Sequence, residues 1–243
     1  MSSFFANVSH LPEPHTLDEL RQRLELICGK TISELAGALN LSIPQGNTHS
    51  KGYTGGLIEL YLGAAAPNLG APDFPFLGIE LKTVPVDELF TPIESTFICH
   101  APIKDIRGLD FYHSTLYAKI RLTLYVFVLT AKKMPIRQRR VVDYLLYQMP
   151  PADLLQVKAD YDELMELITQ GQGKQITARI GTLVQLRPKA PNGQRLTAIV
   201  DEDGAVSTTR PRGFYMRRSY MAKICKLVAT RHQLPLQLAP ADN

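Results

Sequence analysis

The chain has 243 residues, 45% of them hydrophobic, enough for one sizeable core or two small lobes around a cleft, which excludes a disordered tail or a disulfide miniprotein. Its formal net charge of +4 is unevenly spread: residues 1–166 carry 15 Lys and Arg against 19 Asp and Glu, and residues 167–243 carry 12 against 4. That division fits a polyanion binder whose acidic chemistry lies elsewhere, or equally a solvated basic face.

Met1 to His10 has no basic segment followed by an apolar one, so export is not expected. Thr16-Leu-Asp-Glu19 has capping-box spacing ahead of Leu20, Leu24 and Ile27 and predicts a helix over about 17–28. Thr31-Ile-Ser-Glu34 repeats the signature for a short helix ending near Asn40, and Leu41 to Ser50 reads as a loop. Helical spacing returns over Lys51 to Ala66 through Leu57, Leu60, Tyr61 and Ala64. Gly52, Gly55 and Gly56 weaken its first turn by roughly 1 kcal/mol each, and are read as room for another backbone to approach.

Pro67 to Pro75 is a predicted loop, and Phe76 to Val84 follows as a strand. Ser95 to Ala101 and Leu122 to Thr130 are further strands, the second apolar on both faces and therefore expected at the centre of a sheet. The run from Leu122 to Ala131 is about half the length needed to span a bilayer, so a soluble protein is expected. Pro150-Pro151 opens a helix with an apolar stripe of Leu154, Tyr161, Leu164, Met165 and Ile168, closed by Gly171. Gly181 to Lys189 reads as a strand leaving into a loop at Pro188, and a last helix is expected from about Tyr220 to His232, capped by Ser219. Cys28, Cys99 and Cys225 are widely spaced without a Cys-x-x-Cys pair, as reduced core thiols of a cytosolic protein would be.

The chemistry concentrates around residues 59–82. On the predicted strand Glu80 and Lys82 share one face, while Ile79, Leu81 and Thr83 share the other. Asp73 lies in the turn before this strand, and Glu59 sits in an apolar helix between Ile58 and Leu60. Three acids and a lysine meeting at one sheet end have the groups that phosphodiester hydrolysis requires. Magnesium takes hard oxygen ligands, which Asp73 and Glu80 can supply with waters completing the shell, and a lysine beside it can orient or deprotonate the attacking water. Glu59 would hold a second metal or the water network. The competing reading of the acid-x-Lys triplet by itself is a salt-bridged strand.

Further along, Arg187-Pro188-Lys189 is a basic strand exit of the kind that enters a major groove, where Arg binds guanine in bidentate fashion. Tyr215 is placed to meet an adenine N6 edge or to be an ordinary half-buried tyrosine. Arg210, Arg212, Arg217, Arg218, Lys223 and Lys226 are expected mostly on phosphates. The six histidines do not cluster at ligand spacing.

The stretches Gly55-Gly-Leu-Ile-Glu59-Leu-Tyr-Leu-Gly-Ala, Asp73-Phe74 and Leu77-Gly-Ile-Glu80-Leu-Lys82-Thr-Val-Pro-Val-Asp87 resemble the MutH family of methyl-directed mismatch repair endonucleases. The likeness continues through Ser95-Thr-Phe97-Ile-Cys99, Ile176-Thr-Ala-Arg179, Gln185-Leu-Arg187-Pro-Lys189-Ala and Pro211-Arg-Gly-Phe-Tyr215, in order over about residues 16–232. It implies an α/β, restriction-endonuclease-like mixed sheet flanked by helices, in two lobes around a DNA-binding cleft. Residues 1–243 would form a single endonuclease domain, with the catalytic lobe mainly in 16–166, the basic DNA-reading part mainly in 167–232 and short unassigned termini.

The resemblance further implies Mg2+-dependent nicking of the unmethylated strand at hemimethylated GATC sites in double-stranded DNA, by a cytoplasmic monomer away from any membrane, activated by MutL after MutS finds a mismatch. Asp73, Glu80 and Lys82 match the family's catalytic motif and Glu59 its auxiliary acid. Lys51 and Lys119 match lysines near the DNA, and Phe97 an aromatic beside the scissile region. Arg187 and Tyr215 match positions that read the site and sense adenine methylation, with Pro188 and Lys189 in the same DNA-binding segment. Two rivals stay open at this level: a GATC-specific restriction enzyme cutting both strands, and a non-catalytic DNA-binding module.

Overall fold

A computed structural model describes Phe5 and residues 11–45, 52–65, 70–103, 110–189 and 196–233. Local capping sets the first helices as the sequence predicts. In α1 (Leu17–Ile27) the Thr16 side chain accepts from the Glu19 N–H, and α2 (Ile32–Ala38) starts with a complete capping box of Thr31 and Glu34. Helix α3 (Tyr53–Leu62) is entered through Gly52 and left through Gly63, both left-handed. At Gly63 a Cβ would lie 2.5 Å from the Pro12 carbonyl oxygen, so only glycine fits. The expectation that another backbone approaches the glycines is corrected at Gly55, where a Cβ would meet only side-chain oxygens, Thr83 Oγ1 at 3.9 Å and Glu59 Oε1 at 4.0 Å.

Strands β1 (Glu80–Val86), β3 (Leu122–Leu129) and β4 (Arg140–Gln148) form a mixed sheet in the order β1-β3-β4, β1 parallel and β4 antiparallel to the central β3. The apolar run at 122–130 is therefore central, as its composition predicts. Leu81, Leu124, Val126 and Val128 pack with the apolar faces of α1 to α3. On the other face Val84, Val86, Tyr125 and Phe127 join a second core built on α4 (Thr115–Ile120), α5 (Pro151–Thr169) and α6 (Arg218–Gln233). That core also takes in the antiparallel sheet β2-β8-β5, formed by β2 (Thr96–His100), β5 (Val184–Pro188) and β8 (Arg212–Met216). A separate hairpin joins β6 (Thr197–Val200) to β7 (Val206–Thr209). Among the described residues no helix is long and apolar enough to cross a membrane.

Several predicted boundaries move: the helix expected over Lys51 to Ala66 spans Tyr53–Leu62, and the strand expected from Gly181 begins at Val184. The strand expected from Phe76 begins at Glu80, because Phe74 and Ile79 exchange backbone hydrogen bonds of 2.9 and 3.2 Å across a turn in which Gly78 is left-handed. The last helix begins at Arg218, so Ser219 lies in its first turn and is not its cap.

One buried acid fixes how the second sheet starts. Asp160 of α5, 2% exposed, accepts the backbone N–H groups of Thr182, Leu183 and Val184 at 2.8, 2.6 and 2.8 Å. These bonds hold the entry to β5 and its first residue, Val184, against the helix, and β5 carries Arg187.

Candidate active site

The turn before β1 and the first residues of that strand assemble a charged cluster. Asp73 Oδ2 accepts the Leu81 N–H at 2.9 Å, which ties the turn to the strand. Glu80 is 1% exposed. Its Oε1 accepts from Lys82 Nζ at 2.5 Å, and Lys119 Nζ, reaching from α4, donates to both carboxylate oxygens at 2.9 and 2.8 Å. Lys119 also donates to the Ala71 carbonyl at 3.1 Å. The lysine that the resemblance places near DNA is thus a buried counter-ion of Glu80, a contact across 39 residues that no local motif signals.

Burial pushes the Glu80 carboxyl above its ordinary range; Lys82 opposes this and Asp73 adds to it. Glu59 on α3 is also raised, first by desolvation and next by the charge of Asp73. Glu59 keeps an exposed side, so water screens it there, but its direction follows from the two acids, Asp73 and Glu80, that face it. The nearby Cys99 thiol is pushed up to about 12 by burial, so it is protonated at neutral pH.

Among the described residues no group of three or more His, Cys, Asp or Glu side chains is gathered as a cage for a metal ion. Magnesium needs no such cage, since one or two carboxylates suffice while it keeps its waters. Asp73 and Glu80 are hard-oxygen donors, and the charge of Asp73 adds to the burial that raises the Glu59 and Glu80 carboxyls, which marks a negative potential that a cation relieves. The donor set therefore fits a divalent ion of that kind.

A test of this electrostatics is Glu59→Gln. Because the folded state raises this pKa, it holds the proton more tightly than the unfolded chain, and stability contributed by the group falls as pH rises through the interval between the two values. The variant is expected to melt at a higher temperature than the parent near neutral pH, with the gap closing below the unfolded value near 4.5. Equal melting temperatures at neutral pH would contradict the assignment.

Lys82 also lines a groove of about 350 Å3 whose walls include Phe97, Arg187, Pro188, Lys189 and Tyr215. Five residues proposed from sequence for DNA contact thus stand in one groove with the lysine of the charged cluster. The second sheet brings them together: Phe97 pairs with Tyr215, and Tyr215 with Gln185, across β2, β8 and β5. The Phe97 and Tyr215 rings meet edge to face at 5.3 Å, and Lys189 Nζ lies 4.2 Å from the Phe97 ring centre. Arg187 stands 5.4 Å from the Tyr215 ring and donates to Ser95 Oγ at 2.7 Å. At Gly213 a Cβ would lie 2.6 Å from Phe97 Cε2, so the ring lies where any side chain would push it away. Lys51 lies outside the described residues.

Sequence reasoning missed Glu94 and Ser95 as groove residues. It missed Asp160 too, whose signal was legible: an acid within the stripe of Val157, Tyr161, Leu164 and Ile168. Three of the residues expected on phosphates already have partners within the protein. Arg212 is buried and donates to the Ile176 carbonyl, Arg217 donates to Ile180 and Gly181, and Lys223 pairs with Asp153 at 3.0 Å.

The fold and site define a mixed α/β protein with a buried acid held by two lysines at a strand head, beside a groove lined by arginine, lysine and aromatic side chains. Residues 62–160 match the family model described as DNA mismatch repair enzyme MutH. The chain is 39% identical over 215 residues to the DNA mismatch repair protein MutH of Shewanella baltica, covering 88% of this chain and 96% of the relative. It is 40% identical over 213 residues to the protein of the same name from Vibrio cholerae serotype O1, with the same coverage of each. The chain belongs to the MutH family of DNA mismatch repair enzymes, and the expectation of a mismatch repair endonuclease is met at the level of the family.

Proposed function

We propose that the chain is a magnesium-dependent endonuclease that nicks the unmethylated strand at hemimethylated GATC sites. The observation that carries the reading is the single groove in which Lys82 meets Phe97, Arg187, Pro188, Lys189 and Tyr215. Hydrolytic chemistry and groups suited to base recognition then act on the same stretch of duplex. One motif per chain cuts one strand, in keeping with a monomer.

Asp73 and Glu80 would hold the metal, which when bound acidifies a water and neutralises charge on the phosphorane-like transition state. Lys82, on the groove side of Glu80, would orient the attacking water and, once a cation beside it has driven its own proton to solvent, take the proton of that water. Lys119 keeps the Glu80 carboxylate ionised and fixed through two hydrogen bonds. Glu59, with its carboxyl above the usual range, holds the water network or a second ion. Arg187 reads guanine O6 and N7, Tyr215 faces the adenine N6 edge where methylation changes shape and donor count, and Phe97 packs beside the scissile region with Lys189. Lys51 contacts the DNA near the site.

In this reading the two packed cores are lobes of a single endonuclease domain around a DNA cleft, the catalytic one mainly within 16–166 and the reading one mainly within 167–232. The protein works in the cytoplasm, and MutL, recruited after MutS finds a mismatch, activates it.

Incubation with magnesium of three duplexes, with GATC unmethylated, hemimethylated or fully methylated, tests the proposal on a denaturing gel. The expected product is a nick confined to unmethylated strands with the fully methylated duplex spared. Paired cuts producing double-strand breaks point to a restriction enzyme instead, and absence of cutting with MutL supplied rejects the nuclease.

A further inference from the structure

Beside the groove lies a second hollow of about 430 Å3, lined among others by Glu94, Ser95, Gln185, Arg187, Arg217 and Arg218. We infer that this hollow is a docking site for one backbone phosphate of the duplex, held by Gln185, Arg218 and the first turn of α6. The inference rests on the DNA-binding reading above and adds a subsite to it.

Three arginines face one glutamate here, and none of the four forms an ion pair among the described residues. Two of the guanidinium groups are already engaged. Arg217 donates to the Gly181 and Ile180 carbonyls and Arg187 to Ser95 Oγ. Among the described residues Arg218 is anchored through Nε, which donates to the Pro92 carbonyl at 2.5 Å, leaving its terminal nitrogens to a ligand. Gln185 is 7% exposed and lines the hollow, yet its carboxamide has no hydrogen-bond partner among the described residues. The amide is reached by solvent within the hollow, where a polar ligand can take the place of water.

Helix α6 adds donors of its own. The Met221 N–H closes on the Arg217 carbonyl at 3.0 Å, so the preceding N–H groups of the first turn lack a partner within the helix. Glu94, on the wall shared with the groove, confines an anion to the α6 side. The shared residues Glu94, Ser95 and Arg187 make the hollow continuous with the groove, so a duplex lying in one passes the mouth of the other. Contacts from these donors to a phosphate would position the duplex without reading its sequence.

The test is equilibrium binding of the full chain, without divalent ion, to a GATC duplex and a scrambled duplex across a salt series. Arg218→Ala is expected to weaken both complexes by the same factor and to lower the log–log salt slope by about 1. Arg218→Lys should retain the slope, and Gln185→Met should weaken both duplexes equally with the slope kept. If Arg218→Ala does not fold, Arg218→Gln carries the same expectation. An unchanged slope and affinity overturns the subsite, as does a loss confined to the GATC duplex, which would mean base reading. A parent that binds neither duplex removes the DNA reading and the subsite together, whereas a steep parental slope matched by Arg218→Ala removes the subsite alone.

Discussion

Replacing Lys82 with alanine is expected to lower the single-turnover nicking rate by about 10²- to 10⁴-fold, the range for losing a positioned proton-transfer group, while duplex binding stays close to that of the parent. The fold should survive because Glu80 keeps its second counter-ion, Lys119, with two hydrogen bonds. The reciprocal change, Glu80→Ala, should also stop nicking but for a less clean reason. It strips two buried or half-buried ammonium groups of their shared partner, and breaking a buried pair in this way costs about 3–5 kcal/mol. Nicking by Lys82→Ala at the parental rate would remove the lysine from the mechanism. A matched loss of binding would assign it to the duplex instead.

Asp160→Ala is expected to be the most destabilising single change outside the charged cluster. It orphans the N–H groups of Thr182, Leu183 and Val184 at a site 2% exposed. Each unsatisfied buried donor costs about 1–3 kcal/mol, and partial relaxation makes a total of about 3–5 kcal/mol reasonable. At roughly 2–4 °C per kcal/mol for a domain of this size, the melting temperature should fall by about 6–20 °C. Because these bonds anchor β5, preference for GATC over scrambled duplex should fall too. Asp160→Asn keeps one acceptor oxygen and should lie between. A thermal melt within about 2 °C of the parent's would show that the three bonds carry no net stability.

The charged cluster was legible where it is local. Alternation along a strand places Glu80 and Lys82 on one face whatever the rest of the chain does, and Asp73 precedes them in a turn punctuated by proline. Capping boxes announced α1 and α2, and unbroken apolarity announced the central strand β3. Strand β4 escaped because its buried positions include Asp143 as well as Val141 and Tyr147, so its alternation does not read as apolar.

By itself, the sequence determined the family, the acid and lysine types at the strand head and the uneven charge, since these depend only on residue order and on the short-range geometry of the backbone. The tertiary structure alone decided which charges are available. Lys119 turned inward to Glu80, Arg212 and Arg217 were consumed by backbone carbonyls, and Arg218 was left with free donors. It also decided that Phe97, Arg187 and Tyr215, far apart in the chain, share a groove with Lys82 through the order β2-β8-β5. Burial and hydrogen-bond partnership are properties of packing between distant segments, so a charge written in the sequence acquires its role only when the fold sets its dielectric surroundings and its neighbours.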